Sequence, residues 1–300
     1  MSRISLKERI KQGPLFLDGA MGTQLFSRGV EQSGCIDYAN IQVPEIVRAV
    51  HIEYFNAGSD AVLTNTFGAN KFALGLHGLS DKAEQINIAG AKLAREAGGN
   101  DKYVLGDIGP SGQFLPPLGS LSPDELRLGY VQQANALAKG GVDGFILETF
   151  TALDEIEIAI EAVKSAAGQL PVFASMSFDS AGGNFRTMMG VDVESALTKI
   201  LSIGVDAIGF NCGRIPLDGY VCLAGKYADT LKAANADVVL FAEPNAGLPE
   251  IADDKTIYKV TPQEFASVVK KIHTLGFNIL GGCCGTTPSH IKAWADCFKK

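Results

Sequence analysis

The residues predict an α/β fold, a (β/α)8 TIM barrel with an extra N-terminal helix. Eight short apolar runs alternate with longer amphipathic stretches from end to end. Eight strand–helix units in 300 residues match the size of such a barrel. A ten-residue pattern also recurs at every second run, as expected of one architectural unit reused around a ring.

Taken in order, residues 3–12 read as the extra helix, capping the barrel bottom. The first run is LFLDG (15–19). The helix PEIVRAVHIEYFNAG opens on Pro44 and closes at Gly58, the usual places for proline in a first turn and glycine after a last one. AVLTNTF (61–67) follows, then the helix DKAEQINIAGAKLAREAGG, then YVLGDIG (103–109). The helix SPDELRLGYVQQANALAKGG also ends on glycine and leads into GFILETF (144–150). DEIEIAIEAVKSAAG precedes VFASMSF (172–178), and VESALTKILSIG precedes AIGFNCG (207–213). A helix within 217–235 leads to VVLFAEPN (238–245). TPQEFASVVKKIHTLG leads to NILGGCCG (278–285), and TPSHIKAWADCFKK is the eighth helix.

The recurring pattern is AGSDAVLTNT (57–66), GGVDGFILET (140–149), IGVDAIGFNC (203–212) and LGFNILGGCC (275–284). Each copy has a helix-ending glycine, an Asp or Asn, an apolar run and then polar residues. No linker or low-complexity tract interrupts the chain, so residues 1–300 read as one domain.

Composition narrows the function. Hydrophobic residues make up 46% and charged residues 20%, as in a globular protein with a full core. A net charge of −7 argues against a nucleic-acid partner and against an anionic membrane surface. The charged N-terminus resembles neither a signal peptide nor an anchor, and no apolar window is long enough to span a membrane. The six cysteines therefore read as reduced thiols in a cytoplasmic protein, which favours metal binding or catalysis over disulfides. The residues favour no particular oligomeric state.

In a parallel barrel the site lies at the carboxyl ends of the strands. Even-numbered runs end in Asn65-Thr66, Glu148-Thr149, Asn211-Cys212 and Cys283-Cys284; odd ones end in Asp18, Asp107, Ser175-Met176 and Glu243-Pro244-Asn245. Cys212, Cys283 and Cys284 thus converge from two strands separated by one. Three thiolates with a fourth tetrahedral position open are the pattern of a catalytic zinc. Buried cysteines are also commonly just small hydrophobes, and spacing alone leaves both readings open. Cys35, Cys222 and Cys297 read as such hydrophobes, and the four histidines as ordinary surface or partly buried residues.

FLDGAMGTQL, TNTFGAN, GDIGPSG, LETF, FNCG, EPNAG and GGCCGTTPSH together resemble the homocysteine S-methyltransferase family, through all eight runs. The resemblance implies a (β/α)8 barrel with zinc on Cys212, Cys283 and Cys284. It also implies methylation of the homocysteine thiolate to methionine. Zinc would generate the thiolate and position it. Glu148 suits the substrate ammonium by a charge-assisted bond, and the resemblance assigns it the same role. Asp18 and the backbone of Gly19 and Ala20 sit where the carboxylate would lie, and Asn65 and Thr66 could add neutral hydrogen bonds. In cobalamin-type members the asparagine matching Asn245 can fill the metal's fourth position when substrate is absent.

TNTFGAN and GDIGPSG are more similar to the homocysteine domain of cobalamin-dependent methionine synthase, and Thr149 stands where betaine-using members have tyrosine. No D-x-H-x-x-G stretch for cobalamin is present. The expected donor is therefore methylcobalamin on a separate corrinoid protein. The alternatives are S-methylmethionine or betaine used directly, another small thiol as acceptor, or a non-catalytic zinc or redox barrel. Loops 109–122 and 178–190 should border the mouth as docking elements or a lid.

Overall fold

A computed structural model describes residues 3–32, 34–252 and 255–298. The eight runs form eight parallel strands: β1 (Leu15–Phe16), β2 (Ala61–Leu63), β3 (Tyr103–Ile108), β4 (Gly144–Phe150), β5 (Val172–Met176), β6 (Ala207–Asn211), β7 (Val239–Glu243) and β8 (Phe277–Leu280). Their order is β1-β8-β7-β6-β5-β4-β3-β2, every neighbouring pair parallel. This is a (β/α)8 barrel with helices outside.

Alternation along the strands separates two apolar layers. Leu15, Leu105, Ile146, Phe173, Phe241 and Ile279 fill the barrel interior. Val104, Phe145, Leu147, Ile208 and Leu240 face the helices. Burial on both faces is why the runs read as continuous apolar stretches rather than alternating ones.

The ladder of hydrogen-bonded strands leaves β1 and β2 to be joined by other means. Asp60 N–H donates to Phe16 O (2.7 Å) and Phe16 N–H donates to the Asp60 carboxylate (3.1 Å). One turn higher, Leu63 N–H donates to both oxygens of Asp18 (3.2 Å each). Carboxylates thus close the barrel where backbone pairing is incomplete.

Asp60 belongs to the repeat, and the other two aspartates of the pattern act the same way. Asp143 N–H donates to Val104 O (2.7 Å) while its carboxylate accepts from Val104 N–H (2.8 Å). Asp206 brackets Val172 with bonds of 2.9 and 3.0 Å. Each acid ties the start of an even strand to the preceding odd one. The N-terminal segment docks on the same three acids: Arg9 pairs with Asp60 (3.1 Å), Lys7 with Asp206 (3.0 Å) and Arg3 with Asp143. Helix Leu6–Arg9 is shorter than the predicted 3–12, and it sends Leu6 and Ile10 into the interior layer as the expected bottom cap.

The segment expected as loop 178–190 contains a β-hairpin. Asp179–Ala181 pairs with Asn184–Arg186 after β5, turning on Gly182-Gly183, both with positive φ (58° and 81°). A two-glycine turn between short runs is a recognisable hairpin signal. A second hairpin pairs Glu250–Ala252 with Lys255–Ile257 after β7. The 109–122 loop is pinned at its base, where Ser111 N–H, Ser111 Oγ and Tyr130 Oη all donate to Glu155 Oε1 (2.8, 2.6 and 2.9 Å).

Two expectations about minor residues need correction. Cys222 and Cys297 are exposed rather than buried, because they fall off the inward stripes of their helices. His51 is wholly buried, since it continues the stripe Val47, Val50, Tyr54 of helix Pro44–Ala57, and His290 is buried as well. No helix among the described residues is long and apolar enough to cross a membrane.

Candidate functional site

The three strand-end cysteines meet at the carboxyl end of the barrel. Their sulfurs lie within 4.8 Å of one another, Cys212 to Cys284 at 3.9 Å and Cys283 to Cys284 at 4.0 Å. Ligand bonds of about 2.3 Å in a tetrahedron separate sulfurs by roughly 3.8 Å, so this spacing suits a single zinc-sized cation. Such thiols cannot all ionise unless a cation joins them. Hydrogen bonds from Cys283 and Cys284 pull Cys212 down to about 3. Bonding to Cys212 pushes the other two up, Cys284 to about 12.

The backbone is bent to make this meeting possible. Cys212 has a left-handed φ of 53°, and Gly213 follows at 85° with its Cα so close to Phe178 that a Cβ would lie 1.9 Å from the carbonyl oxygen. Cys283 N–H donates to Pro244 O (2.8 Å) and Ala246 N–H to Cys284 O (2.9 Å), locking the last loop to the one after β7. Asn245 stands in that loop. Its Nδ2 donates to Gly213 O (2.9 Å), and its buried Oδ1 has no hydrogen-bond partner.

Beside the sulfurs lies a group of acids: Asp18, Asp107, Glu148 and Glu243. Among the described residues no lysine or arginine pairs with any of them. Burial is the main reason all four are pushed up; Glu148 reaches about 8, the charge of Cys212 adding to the effect and a bond with Asp107 opposing it. Asp107 Oδ1 and Glu243 Oε2 are buried without a partner. Asp107 and Glu243 were visible as strand-end acids, but nothing local marked them as one cluster.

Asn211, which sequence reasoning passed over as a site residue, joins the two groups. Its Nδ2 donates to Glu148 Oε2 and Thr149 Oγ1 (2.7 Å each) and reaches Cys283 Sγ at 3.9 Å. Its Oδ1 accepts from Thr149 N–H and Ser175 Oγ (2.8 Å each). Thr149 holds φ 64°, a conformation unfavourable for a β-branched residue and kept by these bonds.

At the first two strands the candidate residues have partners within the protein. Asn65 Nδ2 donates to Ile36 O (2.9 Å) and Asn40 Oδ1 (3.1 Å), holding the 36–40 segment. Thr66 Oγ1 is fully buried and donates to Asp107 O (2.8 Å). Both side chains take part in the protein's own network. A polar residue at a strand end has turns to satisfy before it has a ligand. Ala20 N–H donates to Thr286 Oγ1 (3.0 Å), so a carboxylate arriving at Gly19 and Ala20 would share or displace that bond. Thr286 was not anticipated there.

The homocysteine S-methyltransferase family profile matches residues 15–298. The chain belongs to that family. Curated relatives include the methionine synthases of Mycobacterium tuberculosis, 34% identical, and Mycobacterium leprae, 32% identical; each alignment covers 96% of this chain and 24% of the relative. The chain therefore spans about a quarter of the length of these relatives. Among solved structures, the metallated form of the homocysteine methyltransferase MmuM from Escherichia coli superposes with a TM-score of 0.78 at 23% identity, over 97% of this chain and 98% of that one. Its oxidised form gives 0.76 at 23% identity, over 94% and 95%. At this identity the likeness is one of fold.

Proposed function

We propose that residues 1–300 act as a zinc-dependent homocysteine S-methyltransferase that forms methionine, with the methyl group supplied by methylcobalamin on a separate corrinoid protein. One observation carries this reading: a sulfur tripod with zinc spacing adjoins an acid group with which no lysine or arginine among the described residues pairs, and one amide, Asn211, touches both. An amino acid bearing a thiol supplies what each half lacks, a sulfur and an ammonium.

Zinc on Cys212, Cys283 and Cys284 would lower the pKa of an added thiol and hold it as a nucleophile. Glu148, oriented by Asn211, takes the ammonium. Gly19 N–H, Ala20 N–H and the Thr286 hydroxyl take the carboxylate. Asp18 supports that turn by holding β1 to β2. Asn245, whose buried Oδ1 has no partner, would offer the metal a neutral oxygen when no thiol is bound. The thiol proton leaves, the sulfur–methyl bond forms, and the donor's methyl bond breaks with its electron pair staying on the donor.

A large donor is supported by the rim of the mouth. Phe67, Phe114, Leu118, Met188, Leu248 and Ile251 are exposed in the segments that follow β2, β3, β5 and β7. The match to methionine synthases about four times longer agrees with a donor carried on further protein. The test is methionine formation by the zinc-loaded protein from homocysteine and methylcobalamin. Zinc-dependent turnover is expected; turnover with S-methylmethionine or betaine alone would replace the donor, and none with any donor would sink the reading.

A further inference from the structure

Tyr258 lies just after the second hairpin, in a segment no part of the proposed reaction uses. Its ring rests on Gly285, the residue after Cys284: a Cβ there would lie 2.1 Å from the ring's Cγ and 2.5 Å from each Cδ. Gly285 also has φ 77°, so both backbone and packing reserve this position for glycine. The ring therefore sits against the backbone of the metal loop. Seated on Gly285, the phenol stands beside the three sulfurs, and Cys284 acts on it most strongly of the three. A phenol keeps its proton at neutral pH, so toward a thiolate it acts as a donor.

The segment is clasped to the site at two further points. Val260 packs on Gly247 in the Asn245 loop, where a Cβ would meet Val260 Cγ2 at 2.6 Å. His290 Nδ1 accepts from Thr287 N–H (3.2 Å), which leaves Nε2 to donate to Val260 O (2.9 Å). Residues 258–260 thus bridge the loop after β7, the cysteine loop and the last helix.

We propose that Tyr258 is a positioning residue for the sulfur tripod, donating a hydrogen bond to Cys284 Sγ while its ring fixes the Cys283–Cys284 loop through Gly285. A donor to a thiolate withdraws charge from the sulfur and fixes its direction, as outer partners of metal ligands do. This inference rests on the zinc reading above.

The test compares wild type with Tyr258→Phe, which keeps the ring and removes only the hydroxyl, and with Tyr258→Leu, which removes both. The full chain is loaded with cobalt(II) or zinc and needs no turnover. With Phe the sulfur-to-cobalt charge-transfer band should move to longer wavelength, because an unbonded thiolate is the better electron donor. Zinc held against a competing chelator should bind about tenfold more weakly, the low end for loss of an outer partner. Wild-type band and affinity in Tyr258→Phe would overturn the donor role, and loosening confined to Tyr258→Leu would assign the residue to packing alone. A wild-type chain that takes up neither metal would overturn the zinc reading itself, and this inference with it.

Discussion

Asn211→Ala is the most informative single change. Asn211 is 1% exposed and makes four bonds between 2.7 and 2.8 Å. Alanine would strand the Thr149 N–H and the Ser175 hydroxyl, the latter fully buried with only a 3.5 Å contact to Leu147 O remaining. A stranded buried donor costs about 1–3 kcal/mol, so two of them, after some relaxation, should cost about 3 kcal/mol. With a urea m-value of about 3 kcal/mol/M for a chain this long, the midpoint should fall by about 1 M at unchanged slope. Glu148 would also lose its tether. Homocysteine KM should therefore rise about tenfold, equal to roughly 1.4 kcal/mol of lost positioning, with kcat less affected. Urea denaturation and steady-state kinetics read the two effects separately. A midpoint within about 0.2 M of wild type together with an unchanged KM would refute the idea that Asn211 joins the acids to the sulfurs.

Three further outcomes follow from the geometry. His51 is buried with neither ring nitrogen bonded, and burial lowers its pKa from 6.5 to about 3. The folded state thus refuses a proton that the unfolded chain accepts. Its contribution is complete above pH 6.5 and declines toward pH 3 at about 1.4 kcal/mol per unit, near 2 kcal/mol lost by pH 5; His51→Leu should flatten that part of a stability-against-pH curve, and an unaltered curve would contradict it. Gly213→Ala would force a Cβ to 1.9 Å from Phe178 O at φ 85°, so zinc uptake should be lost even if circular dichroism shows the barrel intact. Arg9→Ala removes the pair with Asp60 and the bond to Pro14 O (2.7 Å), and should lower Tm by about 2 °C for a loss near 1 kcal/mol. No shift in a calorimetric scan would mean that Arg9 adds nothing to the N-terminal clamp.

Much of the fold was legible because its signals are local. Each apolar run is bounded by turn residues within a few positions, and glycines such as Gly58 and Gly141 end helices by adopting φ of 116° and 93°. The repeat even marked Asp60, Asp143 and Asp206 before their bracketing role was visible. The Gly182-Gly183 hairpin was legible too and was passed over. Placing Asn65 and Thr66 at a strand end located them correctly, but could not show that Asn40 and Asp107 already occupied them.

The sequence by itself determined the barrel, the end at which polar residues gather, and the three cysteines that share it. Register does this: once a run is a strand of a parallel barrel, the position of its last residue follows. Only the tertiary structure decided which side chains work together there. Asn211 gathers Glu148, Thr149 and Ser175 from 36 to 63 residues away, and the Tyr258 ring reaches Gly285 across a helix and a strand. Such contacts depend on backbone angles such as φ 64° at Thr149 and 53° at Cys212, which no local propensity favours and which neighbouring strands must hold in place.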